Sequence, residues 1–280
     1  MIKKIASILG TVSLICFSFY YTDSAIDVIR KSDPIMKEIV EYSNNYEDSV
    51  IESKKINNNI IPGVTGTKVN IDESYNRMKQ VGKFDENLIV FETVAPTNSL
   101  ENDYDNYVIS GSPVINNVSI IVKANNKLYI EEILTILNKK DVKVTFFLPT
   151  SLFENSLELI KTVASNGHNI ELLDDNYNQS IIKKYNNIKK ITLGSPLDYC
   201  YTETKNTRLL ENCSNEKKHT IIPGIISECN LYNDVKNELE NGSIISISNN
   251  QNTIKELPVV INYIKQKGKN IVTLENLLKE

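Results

Sequence analysis

The sequence predicts an α/β fold for most of the chain, in the form of an α/β barrel that is incomplete or deformed. From Val118 onward, short apolar runs rich in β-branched residues alternate with segments of helical period, which is the pattern of parallel βα units. Further strands are predicted at "KKITL", "HTIIP", "GSIISIS" and "NIVTL", and a barrel accommodates that number. The chain has 280 residues, of which 41% are hydrophobic, so it is large enough to bury a core.

The chain begins with a segment that indicates membrane targeting. Lys3 and Lys4 precede an uncharged, mostly apolar run from Ile5 to Tyr21. The length of this run fits both a signal peptide and a bilayer-spanning helix, and no clean cleavage site follows it. Residues 1–23 are therefore interpreted as a signal anchor or a signal peptide. With the lysines retained inside, the body of the protein would lie outside the cytoplasmic membrane.

Two further segments are predicted before the barrel domain, which is expected over 116–280. Residues 24–59 are polar with spaced apolar positions, which indicates a helical stalk or a loosely packed spacer. A small α+β module is predicted over 60–115, where Asn70 and Glu73 form a capping-box-like start to a short helix.

The charge pattern argues against nucleic acid as a partner. The chain carries 31 Lys and Arg against 35 Asp and Glu, a formal net charge of −4, and has no block of like charges. A phosphate-binding surface would need a concentration of basic residues, so none is predicted.

One stretch of the barrel domain, "VKVTFFLPTSLFENSLELIKTVASNGHNI", resembles the polysaccharide deacetylase (NodB-homology) family. The "K-x-TFF" strand and the closing "GHxI" carry the resemblance. It extends to the end of the chain, because "ENGSIISIS" and "YIKQKGKNIVTLENLL" are similar to the late strands and closing helix of that family. The segment from Pro62 to Val94 also resembles one that precedes such domains in clostridial proteins. The resemblance implies a deformed (β/α) barrel of the NodB-homology type.

The resemblance also implies a chemistry. Family members are metal-dependent hydrolases that remove acetyl groups from N-acetylated sugars. A divalent metal such as zinc polarises the amide carbonyl and lowers the pKa of its bound water, which requires about three protein ligands and an open position. An aspartate takes a proton from that water, and a histidine protonates the leaving amine.

The residues that would carry this chemistry are altered throughout. The family motif TFDDG corresponds here to "VSIIVKANN", in which Lys123 and Ala124 stand in place of the two aspartates. The two metal-binding histidines expected after "GHxI" correspond to Leu173 and Tyr177. Ser248 occupies the position of the acid histidine. The sequence therefore predicts the scaffold of a deacetylase without its catalytic residues and without a metal cofactor.

The vestigial cleft is predicted to comprise Lys123, Leu173, Asp174, Asp175 and Tyr177. Within it, Lys123 could pair with Asp174 or Asp175, or it could bind an anionic group of a glycan. Asp174 and Asp175, together with Glu171, could form an oxygen-rich site for magnesium or calcium. Such an acidic pair more often caps the start of a helix.

The histidines and cysteines offer few other sites. The chain has two histidines, of which His168 occupies the structural "GHxI" position and His219 is interpreted as a strand-edge residue. Cys200, Cys213 and Cys229 lie in the part expected to be exported, where disulfides are stable. A bridge between Cys200 and Cys213 would brace the polar excursion between them, but the sequence leaves this pairing open.

These observations predict an extracytoplasmic protein of the bacterial cell envelope, either membrane-anchored or secreted. Its expected role is that of an inactive deacetylase-like module that binds a cell-wall glycan or an envelope protein. The alternative is a metal-dependent carbohydrate N-deacetylase with a remodelled site. A third interpretation, a purely structural assembly protein, differs by predicting no affinity for glycans.

Overall fold

The computed structural model describes residues 28–280 together with Val12, Phe17 and Tyr20. Its helices and strands, in chain order, are α1 Pro34–Ser43, β1 Lys54–Ile56, β2 Asn59–Ile61, β3 Gly66–Val69, α2 Ile71–Val81, β4 Phe91–Val94, β5 Tyr107–Val108, β6 Asn117–Lys123, α3 Ile130–Lys139, β7 Thr145–Pro149, α4 Thr150–Asn155, α5 Leu157–Ser165, β8 Asn169–Leu173, α6 Gln179–Leu193, β9 Tyr199–Tyr201, α7 Thr207–Asn215, β10 His219–Ile221, β11 Ile225–Ser227, α8 Leu231–Glu238, β12 Ile244–Ser248, α9 Gln251–Gln266, β13 Asn270–Val272 and α10 Leu274–Leu278.

The chain divides into two compact units. The smaller unit holds the described residues up to Val50 and the segment Thr65–Val94, and the larger unit holds Ile51–Val64 and Ala95–Glu280. The predicted module over 60–115 does not coincide with either unit. Strands β2 and β5 explain the difference, because β5 pairs in parallel with both β2 and β10 and so places these segments in the larger unit.

The predicted membrane segment over 1–23 lies outside the described residues, apart from Val12, Phe17 and Tyr20. Within the described part of the chain, no helix is both long enough and apolar enough to cross a membrane.

The predicted stalk over 24–59 is not a continuous helix. Helix α1 begins where Asp33 accepts a hydrogen bond from the Ile35 amide at 2.9 Å, with Pro34 at its first position. Met36 and Ile39 of this helix are buried in the core of the smaller unit. Helix α1 is therefore a packed element and not a spacer.

The rest of the smaller unit follows the predicted α+β pattern. Helix α2 starts where Asn70 accepts a hydrogen bond from the Glu73 amide at 2.9 Å. It ends at Gly82, whose φ of 78° is the left-handed conformation that glycine adopts most easily. Strands β3 and β4 flank the helix in sequence and pair antiparallel.

The larger unit is a deformed barrel made of two sheets, as the sequence predicts. One sheet has the order β11-β12-β6-β7-β8, with β13 also paired to β6, and all its pairings are parallel. The other has the order β1-β2-β5-β10-β9, in which only the β1–β2 hairpin is antiparallel. No backbone ladder joins β8 to β9 among the described strands, so the barrel is open there.

Side-chain alternation along the strands of the first sheet determines which residues reach the barrel interior. On β6, Ile120 and Val122 pack towards the helices, whereas Ile121 belongs to a separate interior cluster with Phe147. Lys123 lies two residues after Ile121 and therefore projects from the same face at the carboxyl end of the strand. The fold thus directs Lys123 into the mouth of the barrel.

One predicted strand is wrong. The segment "KKITL" forms the last turn of helix α6 rather than a strand. The buried residues of this helix are Ile182, Tyr185 and Lys189, which follow helical spacing. The period is difficult to recognise because one of the buried residues is a lysine.

Candidate functional site

The candidate site is a cleft of about 310 Å³ at the carboxyl ends of the barrel strands. This is the end at which barrel enzymes build their active sites. Lys123, Leu173, Asp174 and Asp175 line it, together with residues that follow β9. Four of the five residues predicted for the vestigial cleft are therefore brought together.

Lys123 is the central charge of the cleft. Its ammonium group contacts the Glu203 carboxylate and lies 3.1 Å from Oε1 of Glu228. Although partial burial opposes the charge, the two carboxylates raise the pKa of Lys123 above its usual value. The predicted pairing with Asp174 or Asp175 is wrong, because the segments after β9 and β11 bring these two glutamates to the lysine.

Ala124 and Ser248 take no part in a polar site. Ala124 is fully buried, and its amide donates to the Phe147 carbonyl at 3.0 Å. Ser248 lies beside Lys123 in the β12–β6 register, and its carbonyl accepts a hydrogen bond from the Thr253 hydroxyl. Neither residue supplies a group that could act as a base, an acid or a metal ligand in place of those that the family uses.

Amide side chains hold the loop after β6, in which the Leu128 amide also donates to Oδ1 of Asn126 at 2.8 Å. The Asn249 side chain donates to the carbonyls of Asn126 and Leu128 at 2.9 and 2.7 Å, and its oxygen accepts the Asn125 amide at 3.1 Å. In the family motif this loop would carry a metal-binding aspartate. Here these hydrogen bonds fix the loop without a metal.

Asp174 shapes the turn at the far side of the cleft. Its Oδ1 accepts the amides of Asn176 and Tyr177, each at 2.9 Å. The helix that follows is capped by Asn178, whose side chain accepts the Ile181 amide at 3.0 Å. Asp174 therefore stabilises the turn before the helix, while an asparagine supplies the helix cap itself.

Tyr177 does not line the cleft, which corrects the prediction. It is 1% exposed, and its hydroxyl donates to the Leu172 carbonyl at 2.5 Å while accepting the Tyr201 amide at 3.1 Å. The ring therefore lies between β8 and β9, in the gap that backbone pairing leaves open. A phenol is long enough to join the two strands.

Glu171 also joins β8 to the start of β9, across the gap that backbone pairing leaves open. Its carboxylate accepts the amides of Asp198 and Tyr199 at 3.0 and 3.2 Å, and pairs with the Lys189 ammonium at 2.8 Å. Burial raises the pKa of Glu171, and the lysine and the amide bonds oppose that rise. We call Glu171, Tyr177 and Lys189 the β8–β9 seam.

The residues present do not fit the divalent metal that the family implies. No group of three or more His, Cys, Asp or Glu residues that could hold a metal ion occurs in the part of the chain that the structure describes. Glu171 belongs to the seam, so it cannot join Asp174 and Asp175 around a hard cation. Ala124 stands where the metal-binding carboxylate is expected, and beside it Lys123 supplies a positive charge in place of the expected base.

His168 has a structural environment. It is 4% exposed, its Nδ1 accepts the Val144 amide at 3.2 Å, and its ring meets Phe146 edge-on. Burial, together with nearby Lys143, lowers the pKa of His168 to about 4. The imidazole is therefore neutral at physiological pH, with its proton on Nε2.

This environment predicts a pH-dependent loss of stability. Through His168 alone, the free energy of unfolding should fall by roughly 2–3 kcal/mol as the pH drops from 6.5 to about 4. The unfolded chain takes up a proton near pH 6.5, whereas folded His168 resists protonation until about pH 4. Urea titrations across this range should show a shallower pH dependence for His168→Gln than for the wild type. Identical slopes would contradict the assignment.

His219 also lies away from the cleft. It begins β10, its ring stacks on Tyr104, and its Nδ1 lies 3.2 Å from the Asp103 carbonyl. Burial lowers its pKa as well. These contacts agree with a packed residue at the end of a strand.

Cys200 and Cys213 form a disulfide with a Cα–Cα distance of 6.5 Å, and Cys229 is free and exposed. Both bonded cysteines are buried in the main core cluster, so the bridge joins β9 to α7 inside the protein. The chain between them supplies Thr202, Glu203 and other residues of one cleft wall. The bridge therefore anchors that wall at both ends.

A family model for polysaccharide deacetylase matches residues 118–190, from the start of β6 into α6. Solved structures extend the likeness to the fold of nearly the whole chain. The chain contains a polysaccharide-deacetylase-like domain, in which the family model covers residues 118–190. It lacks the residues that the family uses for metal binding and proton transfer.

The relatives of the deacetylase-like domain include proteins of similar length. Wild-type BA3943 of Bacillus anthracis, described as a CE4 family pseudoenzyme, is 21% identical with a TM-score of 0.69, over 89% of this chain and 96% of that one. A BA3943 mutant is described as having restored enzymatic activity. Protein YlxY of Bacillus subtilis (strain 168) is 26% identical over 283 residues, which cover 91% of this chain and 86% of YlxY.

An active relative shares the fold over a shorter range. The peptidoglycan N-acetylglucosamine deacetylase Bc1960 is 20% identical with a TM-score of 0.56, over 62% of this chain and 92% of that one. These likenesses confirm the predicted NodB-type fold of the deacetylase-like domain.

Sequence reasoning missed Glu203, which lines the cleft, and also Glu228 and Asn249, which contact Lys123 and the loop after β6. Each follows closely after a strand, in "YCYTE", "IISE" and "IISISN". Because the carboxyl ends of parallel strands meet at one edge, polar residues in these positions are the signal that could have found them.

Proposed function

We propose that this protein is a catalytically inactive, deacetylase-like module that recognises a glycan at the bacterial cell envelope. The observation that carries the proposal is the position of Lys123. Its ammonium group, bridged by Glu203 and Glu228, occupies the cleft at the position where the family places acidic residues. A cation there repels a divalent metal, and at neutral pH it cannot accept a proton.

The remaining steps of the family chemistry also lack a side chain. Ser248 cannot serve as the general acid, because its hydroxyl does not ionise near neutral pH. Leu173 offers no ligand atom, and both hydrogen-bonding positions of the Tyr177 hydroxyl are used by the seam. The description of BA3943 as a pseudoenzyme supports the proposal by analogy of fold.

The proposed location and partners follow from the sequence pattern. The lysines and apolar run at the start of the chain favour an extracytoplasmic body, either membrane-anchored or secreted. A cell-wall glycan is the favoured partner because a structural relative is described as a peptidoglycan N-acetylglucosamine deacetylase. A protein of the envelope is the other candidate. We propose no metal cofactor and no nucleic-acid partner.

The competing function is a metal-dependent N-deacetylase with a remodelled site. It would need Asp174, Asp175 and Glu171 around one cation. The buried pairing of Glu171 with Lys189 separates it from that set, so we favour the inactive protein.

The direct test is acetate release from N-acetylglucosamine oligomers by the purified chain, with zinc, cobalt or magnesium in excess. We expect no release above the uncatalysed rate, because base, ligands and acid are all missing, while an active family member releases acetate in the same assay. Metal-dependent release that disappears in an Asp174→Ala/Asp175→Ala variant would show a remodelled enzyme instead.

Binding is tested separately, by sedimentation of the chain with purified cell-wall material. Retention on cell wall is the expected result. If the chain is neither active nor retained, the structural assembly protein becomes the better description.

A further inference from the structure

The charges around the cleft do not balance. Among the described residues that line it, the one cation is Lys123, which is already shared between Glu203 and Glu228. Asp174 and Asp175 line the same cleft and form no ion pair with any residue that the structure describes. The lining of the cleft therefore presents one positive group against three carboxylates, Asp174, Asp175 and Glu203, while Glu228 contacts Lys123 from outside the lining.

Neighbouring basic residues do not correct this imbalance. The Lys205 ammonium turns away to the Asn57 carbonyl at 2.8 Å and lies over the Tyr107 ring. Arg208 lines an adjacent hollow and not the cleft itself. A ligand that enters the cleft consequently meets an excess of negative charge at its open side, where Asp175 is exposed.

The rest of the lining suits a hydroxylated ligand. Asn125, Thr202 and Asn206 also line the cleft, and among the described lining residues only Leu173 and Leu209 are aliphatic. The volume of about 310 Å³ lies at the lower end of the range for small-molecule sites, which is roughly 300–1,000 Å³. A short saccharide matches both the size and the polarity.

The cation that this cleft favours is organic rather than metallic. No set of three metal ligands occurs among the described residues, whereas a primary ammonium needs only one or two carboxylates at hydrogen-bonding distance. An acetylated nitrogen carries no charge and gains nothing from Asp174 or Asp175.

We infer that the cleft binds glycans that carry free amino groups, in preference to their N-acetylated forms. This inference rests on the proposed glycan recognition and names the class of glycan. The protein would recognise the product of N-deacetylation, so the reaction that supplies its ligand must be a deacetylation carried out elsewhere.

The test compares glucosamine tetramer with N-acetylglucosamine tetramer in calorimetric titrations of the full chain. We expect the amine form to bind at least about fivefold more tightly at low salt, a preference typical of partly exposed ion pairs. The preference should shrink as the salt concentration rises, because exposed charges are screened.

A double variant tests whether Asp174 and Asp175 cause the preference for the amine form. Asp174→Asn/Asp175→Asn removes two charges while keeping an oxygen that accepts the Asn176 and Tyr177 amides, so the turn should persist. The preference should disappear in this variant. It should persist in Asp141→Asn, an exposed carboxylate in the loop before β7, at the opposite end of the barrel strands.

Each result has a distinct meaning. Equal binding of both tetramers by the wild type would overturn the amine preference and leave glycan recognition standing. Binding of neither tetramer would overturn glycan recognition, and the amine preference with it. A preference that survives in the Asp174→Asn/Asp175→Asn variant would overturn the role assigned to this pair.

Discussion

Replacing Lys189 with methionine is expected to lower the free energy of unfolding by about 3–5 kcal/mol. The side chains of Lys189 and Glu171 are 5% and 1% exposed, and their charged atoms lie 2.8 Å apart. Without the lysine, a buried carboxylate loses its counter-charge and can become neutral only by taking up a proton. Chemical denaturation at neutral pH measures the loss.

The pH dependence separates this cause from a simple packing defect. In the Lys189→Met protein, the folded pKa of Glu171 lies above its unfolded value, because burial raises it and the lysine no longer opposes the rise. Folding then takes up a proton, so the variant should recover stability as the pH falls below that folded pKa. The control is Lys190→Met, which changes the exposed neighbouring lysine and should have little effect. A loss of similar size in both variants would refute the assignment.

Removing the disulfide with Cys200→Ala/Cys213→Ala is expected to cost about 3 kcal/mol of stability. The two cysteines are separated by 13 positions, and a bridge over a loop of this length chiefly restricts the unfolded chain. Both are at most 1% exposed, so the native protein should also resist reductants that act only on accessible bonds. Urea titrations with and without dithiothreitol measure the difference.

Cys229 supplies the matched control for the disulfide. It is free and exposed, so Cys229→Ser should leave the unfolding midpoint unchanged. Under reducing conditions that break the bridge, the wild type should approach the double alanine variant. If the double variant unfolds at the same urea concentration as the oxidised wild type, the bridge does not stabilise the fold.

Local sequence patterns were sufficient to predict the elements of the barrel. They were not sufficient to predict which segments distant in sequence contact each other. Alternation and helical period identify β6, β7 and β8 with their helices, because each of these elements buries a continuous apolar face. The helical period of α6 is difficult to recognise in the sequence because one of its buried residues, Lys189, is charged. The burial of Lys189 is explained by its ion pair with Glu171. The boundary of the larger unit depends on pairing between β2 and β5, segments far apart in sequence.

The same limit applies to the cleft. Its altered motifs are visible in the sequence, since Lys123 stands where the family has an aspartate. The partners of that lysine are 80 and 105 residues away, so no local pattern could select Glu203 and Glu228 over Asp174 and Asp175. Tyr177 was assigned to the cleft because it aligns with a ligand position of the family. That alignment does not determine the direction in which a longer side chain points.

Tyr177 limits how the cleft could be changed towards metal binding. A position that corresponds to a metal ligand in the family now holds two strands together through one phenol hydroxyl. Restoring a histidine there would remove both hydrogen bonds before any catalytic benefit appeared, because the other ligands are also missing. A histidine at this position would therefore cost strand pairing without completing a metal site.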